Sequence, residues 1–216
     1  MQDRGRPRSK ALQERSRTTR ARILEITATL AMEQDIDDVS VDQICRAAGI
    51  AKGTFYFHFP TKDDLLLAVF FQGSETLIDE VQPLIEGEVP FDAAVAKVVE
   101  RVATRTSAFP KSFVAKAAGN AVLHAGRPRP EGAPPRRPPR EALRRLIHAA
   151  QQRGELRSDY RPDELAMALN WALLQGLLVW SSLPGARPSL ETVLRRRVEL
   201  ALHGMSGGPA AAGTST

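Results

Sequence analysis

A chain of 216 residues and 23.6 kDa, 43% hydrophobic and 25% charged, is long enough for one large or two small domains with a real core, and its composition excludes wholesale disorder. The net charge of +5 and a pI of about 9.8 direct attention to an anionic partner, either nucleic acid or a membrane surface. Cys45 is the single cysteine, so an intrachain disulfide is excluded; no apolar run follows the basic N-terminus to make a signal peptide, and a cytoplasmic location is expected.

Residues 1–22 hold eight basic residues against Asp3 and Glu14, a net of +6. Residues 1–12 read as a flexible basic arm. From about Gln13 to Gln34 the pattern turns helical, with Ile23, Ile26, Thr27, Leu30 and Ala31 recurring at i, i+3, i+4, i+7 and i+8. Ser40 then stands as an N-cap with Gln43 at the third helical position, a capping box, and Val39 and Ile44 occupy the two staple positions. Val41, Ile44, Cys45 and Ala48 form the stripe of a two-turn helix, and Gly49 supplies the left-handed residue that ends it. A second short helix is expected from about Lys52 to His58, stopped by Pro60. Thr61 and Asp64 open a longer one with another capping box.

Helices are expected over 62–82, 91–107, 110–125, 140–153, 162–182 and 189–203, with no strand pattern. The proline-dense stretch Gly126 to Pro139 reads as an extended loop, and the Gly/Ala/Ser/Thr residues after Gly204 as a disordered tail. Leu165 to Ala186 contains no charge and has the length of a membrane span. Asn170, Gln175, Gly176, Ser181, Ser182 and Pro184 interrupt it, which favours a soluble helix covered on both sides over a span.

Two short helices joined by a turn at Gly49 make a helix-turn-helix, whose second helix enters the major groove. That second helix reads Lys52-Gly53-Thr54-Phe55-Tyr56-Phe57-His58, an unusual set for a solvated surface and a suitable one for bases and phosphates. Gly53 costs about 1 kcal/mol of helix stability relative to alanine, sensible where backbone must approach DNA.

The run Val41, Ile44, Ala47-Ala48-Gly49-Ile50-Ala51-Lys52-Gly53-Thr54-Phe55-Tyr56, His58-Phe59, Lys62 and Leu65 resembles the N-terminal domain of TetR-family regulators. The resemblance implies an all-α protein: a three-helix DNA-binding domain over 13–61 and a helical effector-binding and dimerisation domain over 62–204, followed by the tail 205–216. It implies that Lys52, Gly53, Thr54 and Phe57 meet base edges and nearby phosphates. It also implies that Tyr56 and His58 clamp phosphates and that Lys62 reaches the DNA backbone with its amine and main-chain N–H. Val41 falls where many members carry a hydroxyl residue on a phosphate, a role the adjacent Ser40 could serve.

The implied partners are operator double-stranded DNA, a second copy of the chain and a small, largely apolar effector of unspecified identity, with no membrane and no cofactor. Phe70, Phe71, Phe109, Phe113, Trp171 and Leu174 supply large apolar surface for such an effector, with His124 and Gln175 as polar groups to orient it. The last two helices are expected to dimerise through Trp180, Leu194, Val198 and Ala201. A ligand-responsive repressor is the leading expectation, and a ligand-independent or architectural DNA binder the alternative. No enzyme constellation occurs: the four histidines lack metal-ligand spacing, and neither a phosphate loop nor a nucleophile elbow is present.

Overall fold

The computed structural model describes residues 6–72, 74, 76–123, 138–185 and 187–205. Among these the chain is helical and contains no strand. Ten helices occur in order: α1 (Arg6–Glu33), α2 (Val41–Ala48), α3 (Lys52–His58), α4 (Lys62–Phe71), α5 (Thr76–Glu86), α6 (Phe91–Thr106), α7 (Lys111–Leu123), α8 (Pro138–Gln152), α9 (Pro162–Ser182) and α10 (Leu190–Met205). The chain divides into two compact units, Met1–Gln72 and Gly73–Thr216.

In the first unit α1 packs on α2 and α4, and α2 on α3. The core is the apolar stripe read from the sequence: Ile23, Val39, Ile44, Phe55, Phe59 and Leu65 are fully or almost fully buried. Each short helix is bounded by local chemistry. The Ser40 hydroxyl accepts the Gln43 N–H at 3.1 Å. Gly49 sits at φ 65°, where a side chain would be strained, and its N–H reaches back to Arg46 and Cys45 carbonyls. At α4 the capping box is reciprocal: the Thr61 hydroxyl accepts the Asp64 N–H, and the Asp64 carboxylate accepts the Thr61 N–H, both at 3.1 Å.

In the second unit α9 is the packing axis, in contact with α7, α8 and α10, while α6 lies against α10, α8 and α5. By length and composition α9 could cross a bilayer. Here Leu165, Ala166, Leu169, Leu173, Leu174 and Leu177 face the neighbouring helices instead. The crossing of α9 over α10 is close at Gly176, where a Cβ would stand 2.7 Å from Leu194 Cδ2 and 3.6 Å from its Cα.

Three expectations need correction. The basic N-terminus is not a loose arm to residue 12, because α1 already starts at Arg6. The helix expected over 62–82 is two helices. Gln72 leaves helical geometry at ψ 130°, the next residues are Gly73 and Ser74, and the Leu77 N–H starts a new turn on the Ser74 carbonyl. Glycine is costly inside a helix and serine competes for backbone bonds, which accounts for the break. The helix α4 lies in the first compact unit, which ends at Gln72. Pro83 lies inside α5, which continues to Glu86. Finally, Pro138 and Pro139 open α8, where a proline lacks no bond that the helix would otherwise make. The rest of the proline-rich stretch, residues 124–137, and the tail 206–216 lie outside the described residues.

Candidate nucleic-acid interface

The helix α3 has one inward residue and a polar-aromatic outward face. Phe55 is fully buried, in edge contact with Tyr56 and tilted against Phe59, and this anchors α3 to its unit. Opposite to that anchor, Phe57 is 77% exposed and Tyr56 50% exposed. Lys52 and Gly53 are exposed, and Thr54 and His58 are half-buried. Leaving an aromatic ring of Phe57's size in water forgoes a burial worth roughly 1.5–3 kcal/mol. Folding of this unit does not explain its position.

Gly53 is equally unexplained by packing. A Cβ built there meets nothing within 4 Å, and the residue does not sit at positive φ. Alanine would therefore fit, and it would stabilise the helix by about 1 kcal/mol.

The cations around α3 are already engaged. Lys52 Nζ lies 2.6 Å from the Asp42 carboxylate at the start of α2, and that hydrogen bond holds its pKa above the usual lysine value. To reach a phosphate, Lys52 must exchange Asp42 for DNA. Lys62 donates to the Ile36 carbonyl at 2.6 Å, tying α4 to the loop before α2, so its amine is turned inward. Its main-chain N–H, at the first position of α4, is the group better placed for a phosphate. Arg20 of α1 was not singled out from the sequence. Its guanidinium lies 4.9 Å above the Phe59 ring, which brings the basic helix α1 beside the end of α3. Ser40 is exposed but its hydroxyl is committed to Gln43, and Val41 is half-buried.

His58 has its pKa pushed down by partial burial and, to a lesser degree, by the Arg20 charge. It is therefore neutral at pH 7 in the free protein. A phosphate beside it would raise that pKa, so binding would take up a proton and its contribution would fade as pH rises. Affinity for DNA is expected to strengthen as pH falls between about 8 and 6. His58→Gln should flatten the profile in a fluorescence-anisotropy titration; an unchanged profile would remove His58 from the interface.

The residues expected to hold an effector fall in both units. Phe109 and Phe113 stack at 4.6 Å, but Phe113 is core, as is Leu174. Trp171 and Gln175 are exposed on α9. Phe70 and Phe71 touch each other on α4 in the first unit, and His124 lies outside the described residues. The expected dimer contacts fall largely inside the protomer. Leu194, Val198 and Trp180 are core residues of the protomer, because α10 spends its apolar stripe on α9 and α6, and Lys111 Nζ covers the Trp180 ring at 4.8 Å. Ala201 is half-buried. The large apolar side chains left exposed there are Met167, Trp171 and Leu200, at 45%, 40% and 61%.

Residues 23–69 match the family model described as bacterial regulatory proteins, tetR family. The chain is 30% identical over 87 residues to the HTH-type transcriptional regulator TtgW of Pseudomonas putida, which covers 40% of this chain and 65% of TtgW. It is 31% identical over 88 residues to the regulator UidR of Escherichia coli, 41% of this chain and 45% of UidR. The chain thus spans less than two thirds of these relatives. Among solved structures it is similar to Thermus thermophilus FadR, a TetR-family transcriptional repressor in complex with lauroyl-CoA, at a TM-score of 0.69 and 19% identity over 91% of this chain and 100% of that one. A TetR regulator from Rhodococcus sp. RHA1 gives a TM-score of 0.61 at 18% identity over 88% and 97% of the two chains.

Proposed function

We propose, from the match of residues 23–69 to the tetR family model, that the chain is a TetR-type repressor that binds a pseudo-palindromic operator as a homodimer and is released by a small ligand held in its second unit. The observation that carries the DNA-binding part is the outward face of α3. Gly53 and Phe57 are both unfavourable to the isolated fold, and both are sensible against a groove. Gly53 lets the backbone approach, Phe57 offers an apolar edge to a thymine methyl or a sugar, and Thr54 and Lys52 carry hydrogen bonds to base edges and phosphates.

Gly53→Ala tests this with two opposite signs. Melting temperature should rise, because alanine favours the helix by about 1 kcal/mol and nothing in the protein obstructs its Cβ. Operator affinity should fall at least ~10-fold, because the same methyl now stands between backbone and DNA. A more stable protein with undiminished operator binding would move α3 away from the groove. Tyr56→Ala is the companion variant. It should weaken operator and unrelated DNA alike and lower the slope of log K against log salt by up to ~1, the signature of one lost phosphate contact.

One helix-turn-helix offers few contacts, and a two-fold dimer doubles them. Met167 and Trp171 on α9 and Leu200 on α10 are the apolar surface that such a dimer would cover. For release, the ligand must prefer the state whose two α3 helices no longer match the half-site spacing, since equal affinity for both states shifts nothing.

A further inference from the structure

The helix-turn-helix holds an ion pair that folding alone does not account for. Asp42, at the second position of α2, and Lys52, at the first of α3, meet across the turn at Gly49, with Nζ 2.6 Å from the carboxylate. The two side chains are 57% and 58% exposed, and a pair so open to solvent adds little to stability. Asp42 suits the first turn of α2, where a negative charge favours the helix dipole. Lys52 is the opposite case. It opens α3 with a positive charge, Ala51 gives no side-chain cap, and the first turn of α3 holds no acidic residue. The counter-charge that α3 lacks is supplied by Asp42 from the neighbouring helix.

We propose that Asp42 is a specificity-determining residue, an internal competitor that withholds the Lys52 charge from DNA lacking the operator. A carboxylate and a phosphate offer an ammonium the same acceptor, an anionic oxygen. Unrelated DNA is held by charge, through its phosphates alone. A phosphate met loosely, through water and ions, does not displace a carboxylate already in contact. Lys52 therefore stays with Asp42, and the neutral pair releases no counterion from that DNA. The operator complex differs because the whole outward face of α3 docks. Gly53, next to Lys52, has open space where a Cβ would stand and lets the backbone approach. The ammonium is then brought to contact distance from the DNA, and the exchange occurs. Nothing structural is lost in it. The Lys62 amine, by contrast, is part-buried on the Ile36 carbonyl at 2.6 Å and ties α4 in place, so Lys52 is the cation of the two that can turn to DNA without loosening the unit. Asp42 thus costs the operator complex one exposed ion pair, and it denies unrelated DNA a whole contact.

The proposal rests on the reading of α3 as the DNA-binding helix, and the measurements separate the two. The full chain is titrated with a duplex selected by the wild-type protein from a random pool, and with the same duplex after its base order is scrambled. Asp42→Asn should bind the scrambled duplex more tightly than wild type, and the gain should grow about 3-fold as salt falls from roughly 200 to 50 mM, the signature of one added phosphate contact. Loss of folding cannot imitate tighter binding. On the selected duplex the variant should keep the wild-type salt dependence, since Lys52 reaches that DNA with or without Asp42. Discrimination between the duplexes therefore narrows at low salt. In a Lys52→Ala background, Asp42→Asn should leave both salt dependences unchanged. Asp42→Glu keeps the charge and should behave as wild type.

A wild-type salt dependence of Asp42→Asn on the scrambled duplex overturns the proposal. If Lys52→Ala and Tyr56→Ala still weaken binding to the selected duplex, the reading of α3 survives that result. The same steepening in the Lys52→Ala background also overturns it, because Asp42 would then act by repelling phosphates rather than through Lys52. If neither Lys52→Ala nor Tyr56→Ala weakens the selected duplex, the reading of α3 falls and the proposal falls with it.

Discussion

Trp171→Asp is expected to convert the protein from dimer to monomer and to lower operator affinity by roughly 100-fold or more, the scale of avidity lost when two linked sites become independent. Trp171 is 40% exposed on α9 and stands one turn from Met167, so the two exposed side chains share one face of the helix; Leu200 of α10 is exposed at 61%. Large apolar side chains left exposed on one helix face suit an interaction surface. A carboxylate at position 171 costs the protomer little, because the side chain already meets water, but in a dimer it would be buried against a second apolar surface without a partner. Light scattering should give 23.6 kDa for the variant in place of twice that mass, with an unchanged helical circular dichroism spectrum. A dimer that persists in the variant would place the two-fold interface elsewhere. The comparison variant is Val198→Asp. Val198 is 4% exposed inside the protomer, so a charge there should unfold the second unit rather than merely divide the dimer.

Gly176→Leu is expected to give a large loss of stability without introducing a charge or a polar group. At Gly176 the helices α9 and α10 approach so closely that even a methyl group meets the fully buried Leu194 at 2.7 Å from Cδ2, and its backbone Cα stands at 3.6 Å. Overpacking a filled core costs about 1–3 kcal/mol, and a leucine at this crossing belongs at the upper end. A cost near 3 kcal/mol lowers the melting temperature by roughly 6–12 °C for a chain of this size. Gly176→Ala is milder, because alanine returns about 1 kcal/mol of helix propensity against the same clash. Calorimetry on both variants should therefore rank leucine well below alanine, and alanine at or slightly below wild type. If Gly176→Leu melted with wild type, the close crossing of α9 over α10 would be wrong. The sequence hid this role, since a lone glycine in an apolar run reads first as an interruption.

The first unit was legible because its signals are local. A capping residue, a stripe at helical spacing and a turn glycine all act within a few residues of one another, and Ser40, Gly49, Thr61 and Asp64 do in the structure what their spacing implies. The all-helical character of the second unit was legible for the same reason. What the sequence did not disclose is which of two apolar faces is spent inside the protomer. Leu194 and Val198 look like an interface stripe, and only the packing of α10 against both α9 and α6 consumes them and leaves Trp171 and Leu200 outside. Likewise the aromatic residues that seemed fit to line a pocket are scattered among core, surface and the other unit. Periodicity and caps, being short-range, determined the helices and the reading head; burial is a property of pairs of elements, and tertiary structure alone decided it.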